Sequence, residues 1–131
     1  MTDPDQTRTA QPRPARKHGL RHLFAAARFS AAGLGRMLGE TAFRHEVLAG
    51  LGVAVGLALW GAALREILGF AVLWLVLLAI ESLNTAVEEV VDHLAPEWAQ
   101  FAKHAKDLGS FAVACLIAAN AIYVLMVLLG V

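Results

Sequence analysis

Charged and apolar positions fall in blocks along this chain, and do not mix as they do in a water-soluble domain. Three long stretches, 47–64, 67–80 and 110–131, carry no charge at all. The first has eighteen residues, about 27 Å of helix at 1.5 Å per residue, against a hydrocarbon slab about 30 Å thick. The second continues with no Gly or Pro between Phe70 and Leu94. One helix can therefore run on into I-E-S-L-N-T-A-V-E-E-V-V-D-H, residues 80–93. The third is a run of 22 residues. The pattern predicts three membrane-spanning helices over about 47–64, 66–92 and 107–131. A short turn at 61–66 makes the first two antiparallel. Glu97 to His104, with Trp98 and Phe101, reads as an interfacial linker with an aromatic anchor.

Upstream of the spans the pattern changes. Leu20, Leu23, Phe24, Ala27, Ala31, Leu34 and Leu38 recur at helical spacing, while Arg21, His22, Arg28 and Arg36 fall mostly elsewhere. This predicts an amphipathic helix over 18–39 lying in the membrane interface, broken near its end by Gly33, Gly35 and Gly39. Residues 1–17 hold three of the four prolines and almost no large apolar side chain. They are expected to form a disordered tail, loosely drawn to anionic lipid at most. No apolar signal-peptide core follows their basic residues, so no cleaved leader is expected. The fold class is an all-α membrane protein: a surface helix plus three transmembrane helices in one domain, 18–131.

Composition agrees. A hydrophobic share of 58% and a mean hydropathy of +0.59 lie far above a soluble domain. The single cysteine, Cys115, excludes an internal disulfide and reads as a small apolar residue within the third run. Net charge is zero but unevenly placed. Residues 1–46 and 93–107 hold ten of the eleven Lys and Arg, leaving only Arg65 in the 61–66 turn. The positive-inside rule then puts the N-terminal arm and the 93–107 linker in the cytoplasm and the C-terminus outside. No nucleic-acid partner is expected.

The candidate chemistry lies where the second span leaves the membrane. At about 100° per residue, Glu81, Asn84, Glu88 and Asp92 share one helix face, with Thr85 at its edge and Glu89 pointing away. Glu89 and Asp92 fit a wetted helix end. Glu81 does not, because counting from Glu66 it lies roughly 22 Å along the helix, inside the far edge of the apolar slab. An intramembrane acid is costly and marks a functional position by default. Glu40 and Glu46 sit just before the first span, and Lys106, Asp107 and Ser110 start the third. Carboxylates beside a lysine suit a nucleotide with its magnesium, which takes one or two carboxylates plus phosphate oxygens. Lys106 at a helix N-terminus would be offset by a phosphate bound there. The chain has no Walker glycine loop and no H-R-D or D-F-G set, so a kinase here would belong to neither soluble class.

E-S-L-N-T-A-V-E-E-V-V-D, residues 81–92, resembles the signature of the small bacterial membrane kinases, the prokaryotic diacylglycerol kinase family. Glu40-Thr-Ala-Phe-Arg-His-Glu46 is similar to the family's segment before its first membrane helix, and Ala105-Lys-Asp-Leu-Gly-Ser110 to the start of its third. The resemblance covers about residues 20–131, with one residue fewer before Glu40 than the family pattern. It implies a homotrimer with sites shared between subunits in the bacterial inner membrane. It also implies transfer of the ATP γ-phosphate to the primary hydroxyl of diacylglycerol, giving phosphatidic acid. It assigns Glu81 as general base and lipid-site residue, Glu40 and Glu88 to Mg2+, and Asn84, Glu88, Asp92, Lys106 and Asp107 to nucleotide and phosphate. Ser110 is placed with the lipid substrate. The rival readings are an undecaprenol kinase of the same family and, in another class, a small oligomeric cation channel lined by Glu81 and Glu88. The motifs look more like the diacylglycerol branch. A channel would want acids reachable from both sides, and outward of Glu81 the stripe continues only with Ala71, Val72, Leu75 and Leu78. A purely structural membrane subunit leaves the acidic stripe unexplained.

Overall fold

The computed structural model describes residues 20–131, with side chains from Phe24 onward. The expected tail, 1–17, and the first residues of the expected surface helix lie outside the described residues. The chain divides into two units, one ending at Gly35 and the other running from Arg36 to Val131.

Most of α1, Leu20–Met37, belongs to the first unit. It runs through Gly33 and Gly35 without a break, and only Gly39 falls in the turn that follows. Each glycine costs a helix about 1 kcal/mol relative to Ala, too little to end one that other residues support. Phe24 and Phe29 are both well exposed on it.

The second unit contains three helices: α2, Thr41–Trp60; α3, Leu64–Leu94; and α4, Gln100–Leu129. All three are long and apolar enough to cross a membrane. The described residues are therefore all-helical, with three membrane-length helices. Their bounds differ from the sequence expectation in instructive ways. α2 starts at Thr41, so Glu46 lies within the helix and not before it. It stops at Trp60, short of the expected 64, because Gly61 adopts a left-handed conformation (φ 90°). There the Gly61 and Ala62 amides bond back to Ala58 and Leu57, a closure that favours glycine. α3 ends at Leu94, since Ala95 precedes Pro96 and is steered out of the helical region. α4 begins at Gln100, so Phe101, Lys103 and His104 are helical and the linker shrinks to residues 95–99. Lys106 is therefore not at a helix N-terminus, and its charge needs no phosphate there to offset a helix dipole.

α3 packs against both α2 and α4. Its seam with α4 is pinned at several levels. Tyr123 Oη donates to the Glu66 carbonyl (3.0 Å) over Gly69, and Asn120 Nδ2 donates to the Leu116 and Leu73 carbonyls (2.8 and 3.3 Å). Farther along, Gly109 faces Asn84. On the α2 side, Trp74 stacks on Phe70 and its Nε1 donates to the Glu46 carbonyl (3.1 Å). The Trp74 ring occupies the space a Cβ on Gly50 would need, only 2.1 Å from it. Gly50 thus makes the close approach. The Gly52-x-x-x-Gly56 pair, the small-residue motif a reader would pick first, faces open space. Trp60 and Trp98 are well exposed near the two ends of the bundle. The core is small: Phe43, Leu57, Phe70, Leu77, Val91 and Val113 are its larger buried members in these helices. Leu48, Leu59, Leu75, Val90, Phe111 and Leu125 are among many large apolar side chains left exposed, a surface suited to hydrocarbon.

Candidate functional site

The site grows out of the way α3 presents one stripe. Glu81 is 8% exposed, one turn beyond the buried Leu77, in a helix that carries no charge from Ile67 to Ile80. Counted from Leu64 it stands about 26 Å along the helix, still within an apolar slab of about 30 Å. One turn farther, Asn84 Nδ2 donates to Glu88 Oε1 at 3.1 Å. The Asn84 Oδ1 atom points at Gly109 of α4, 2.0 Å from where a Cβ would stand. Glycine at 109 is thus what lets Asn84 lie between the helices. At the end of the stripe Asp92 pairs with Lys106 at 2.5 Å. Asn84 thus faces the seam with α4 beneath Gly109, and Asp92 reaches α4 through Lys106.

Two additions come from α2. Glu40 occupies the N-cap position in an extended conformation, without capping a backbone amide with its side chain. Glu46, one helical turn and a half on, has a buried Oε2 with no hydrogen-bond partner. Glu81 feels the charges of Glu88 and Glu40, and Glu46 that of Glu81, although no three of these carboxylates converge on one point. Among the described residues, Glu46, Glu81 and Glu88 have no cationic partner, whereas Glu40 pairs with Arg36.

Two concavities adjoin this cluster. A cleft of about 490 Å³ between the end of α3, the 95–99 linker and the start of α4 is lined by Asp92, Pro96, Trp98, Lys103, Lys106 and Asp107, among others. It places two ammonium groups and an indole beside two carboxylates. Lys106 and Asp107 are not paired with each other: Lys106 meets Asp92, and Asp107 meets Lys103 at 2.5 Å. The second concavity, about 420 Å³, is almost wholly apolar. It runs from Glu46 past Gly50, Trp74 and Leu77 to Asn120. Ser110 is exposed, and it makes no side-chain hydrogen bond among the described residues.

No three His, Cys, Asp or Glu side chains among the described residues converge as a ready-made cage. Mg2+ keeps waters and needs only one or two carboxylates together with substrate phosphates. Glu88, which has no cationic partner, and the second oxygen of Glu40, whose Oε1 alone meets Arg36, fit such an ion arriving with a nucleotide, with Glu81 and Glu46 as further hard oxygens nearby.

Sequence reasoning left three residues out of the site. Glu46 carries no role in the sequence reading, although its place about one and a half turns beyond Glu40 is a signal for one. Arg36 stands four residues before Glu40, a spacing that pairs opposite charges on a helix. Glu89 points away from the stripe, and there it binds Arg36 Nη2 at 2.5 Å. Nothing in the sequence marks that pairing across 53 positions.

Comparison with known proteins follows the same line. The sequence model of the family "Prokaryotic diacylglycerol kinase" matches residues 28–128. A Sinorhizobium protein named diacylglycerol kinase is 46% identical over 117 residues, covering 88% of this chain and 85% of its own length. Proteins of that name from Haemophilus influenzae and Escherichia coli K12 are 39% and 38% identical, each over 72% of this chain and 81% and 79% of their own length.

Proposed function

Since the chain belongs to the prokaryotic diacylglycerol kinase family, we propose that it transfers the γ-phosphate of ATP to the primary hydroxyl of diacylglycerol. The product is phosphatidic acid, made at the cytoplasmic face of the bacterial inner membrane. The observation that carries this reading is Glu81: a nearly buried carboxylate without a cation, at the depth where a lipid hydroxyl lies under its headgroup level. Glu81 accepts the hydroxyl proton as general base. The apolar groove that ends at Glu46 and Leu77, one turn before Glu81, suits the acyl chains.

The cleft with Trp98, Lys103 and Lys106 suits the nucleotide, with the indole as a stacking face for the base and the ammonium groups beside phosphate. Glu40 and Glu88 would hold Mg2+, with Asn84 orienting Glu88 through its amide. Bound there, the ion neutralises phosphate charge, which is most of what phosphoryl transfer requires. Asp92 holds Lys106 toward the cleft, and Asp107 holds Lys103. Ser110, exposed near the same level, completes the lipid side. A homotrimer with shared sites would close the open apolar faces of one chain. The N-terminus lies in the cytoplasm and the C-terminus outside.

The test is purified protein in mixed micelles with MgATP and either diacylglycerol or undecaprenol. Phosphate is expected on diacylglycerol. Phosphate on undecaprenol alone would move the protein to the family's other branch. Phosphate on neither lipid, with ion flux through liposomes instead, would favour the channel reading.

A further inference from the structure

We propose that Arg36 is a positioning residue, anchored by Glu89, that holds the Glu40 carboxylate among the acids of the α2–α3 seam. This rests on the reading of Glu40 as a magnesium-binding group. Glu40 stands at the N-cap of α2, a place from which a side chain ordinarily bonds the first turn's free amides. It makes no such bond. Its Oε1 is held instead by Arg36 Nη1. The other arm of the same guanidinium, Nη2, reaches Glu89 Oε1 on α3 at 2.5 Å. Glu89 directly follows Glu88 in sequence, so the arginine ties the start of α2 to α3 at the level of the metal-site acids. The next residue, Met37, is 6% exposed, which fixes the backbone beneath Arg36.

The electrostatics explain why a tether is needed. Glu40 lies within range of the Glu81 charge, and like charges push a half-exposed side chain out toward water. A cation shared between Glu40 and Glu89 opposes that push before any divalent ion arrives. Only arginine has the rigid fork that pairs two carboxylates at once; lysine is a single point charge. Carboxylates that hold metals are commonly fixed in this way by a neighbour that never touches the metal. The tether is half-exposed, with 53% and 55% of the two side chains accessible. Its effect is therefore set by the small free energies of solvated pairs, not by those of buried ones.

The experiment measures equilibrium binding of ATP, with and without Mg2+, to the full-length protein in detergent or nanodiscs, with thermal melts to establish folding. Glu89→Gln should weaken Mg2+-dependent ATP affinity about two- to fivefold, the reach of an exposed pair. Arg36→Gln should weaken it at least as much, and Arg36→Lys should fall between Arg36→Gln and the parent. The decisive arm is the double variant. If Arg36 acts through Glu40, then Arg36→Gln adds nothing in a Glu40→Gln background. Full additivity there, or unchanged affinity in both Arg36→Gln and Glu89→Gln, overturns the proposal. A parent protein that binds no MgATP overturns the functional reading instead, so the two failures are distinguishable.

Discussion

Replacing Glu81 by glutamine keeps the shape of the side chain and removes its basicity and charge. The position is 8% exposed and has no cationic partner among the described residues, with three further carboxylates in its vicinity. Removing the charge relieves both desolvation and repulsion, and a neutral amide is easier to bury than a carboxylate. The variant should therefore fold and associate at least as well as the parent, with an equal or higher Tm. MgATP affinity should stay near that of the parent, because Glu88 lies two helical turns farther toward the cleft and Lys106 meets the stripe only at Asp92. Turnover should fall by about two to four orders of magnitude, the usual contribution of a general base. That is about 2.7 to 5.4 kcal/mol on the barrier at 1.36 kcal/mol per tenfold. The assay is radiolabelled phosphate transfer to diacylglycerol in mixed micelles at saturating substrates, alongside nucleotide binding and a melt. Turnover within a few-fold of the parent would show that Glu81 is not the base. Lost nucleotide binding in a folded variant would move Glu81 into the metal shell.

Other outcomes follow from the same geometry. Glu88→Gln and Glu40→Gln should each weaken Mg2+-dependent ATP binding, and unchanged affinity in both would remove them from the metal site. In Gly109→Ala the new Cβ would stand 2.0 Å from Asn84 Oδ1. The amide must then leave Glu88, lowering kcat by an order of magnitude or so while the helices stay formed by circular dichroism; parental activity would show that Asn84 does not need its place. Gly50→Leu should collide with the Trp74 ring and lower stability by about 1–3 kcal/mol, as overpacking does, whereas Gly52→Leu, open within one chain, should leave the α2–α3 seam intact. For topology, an Ala63→Cys variant in a Cys115→Ala background should react with an impermeant thiol reagent from outside. The background change is needed because Cys115 is exposed, and labelling only from the cytoplasm would reverse the orientation.

Much of this was legible in the sequence, for physical reasons that also say where legibility stopped. The uncharged runs give the three long helices, because hydrocarbon admits little else. The 100° spacing of Glu81, Asn84 and Glu88 gives the stripe and its face. Helix ends were harder. Gly61 ends α2 through its left-handed backbone, at the start of the turn the sequence marks, whereas the uncharged run itself continues to Leu64. The early start of α4 places Lys106 inside a helix, because Gln100 to Ala105 hold good helix formers that polarity alone made look like linker. Contacts between helices were the least legible. Glycine at 109 under Asn84, or Glu89 reaching Arg36, depends on how two helices face each other, and no local pattern carries that.

The three tryptophans also make the chain a built-in depth gauge. Trp60 closes α2, Trp98 stands in the linker at the opposite end of the bundle, and Trp74 is held between them against Gly50. Indole emission shifts with the polarity around it, and two of the rings stand where membrane proteins place their aromatic belts. Chains keeping one tryptophan at a time would report three heights in a bilayer without any added dye. Bromine atoms carried at known acyl positions would quench each ring according to its distance from the midplane. The partly buried ring of Trp74 would also register any loosening of α2 from α3 during turnover as a change in colour and lifetime.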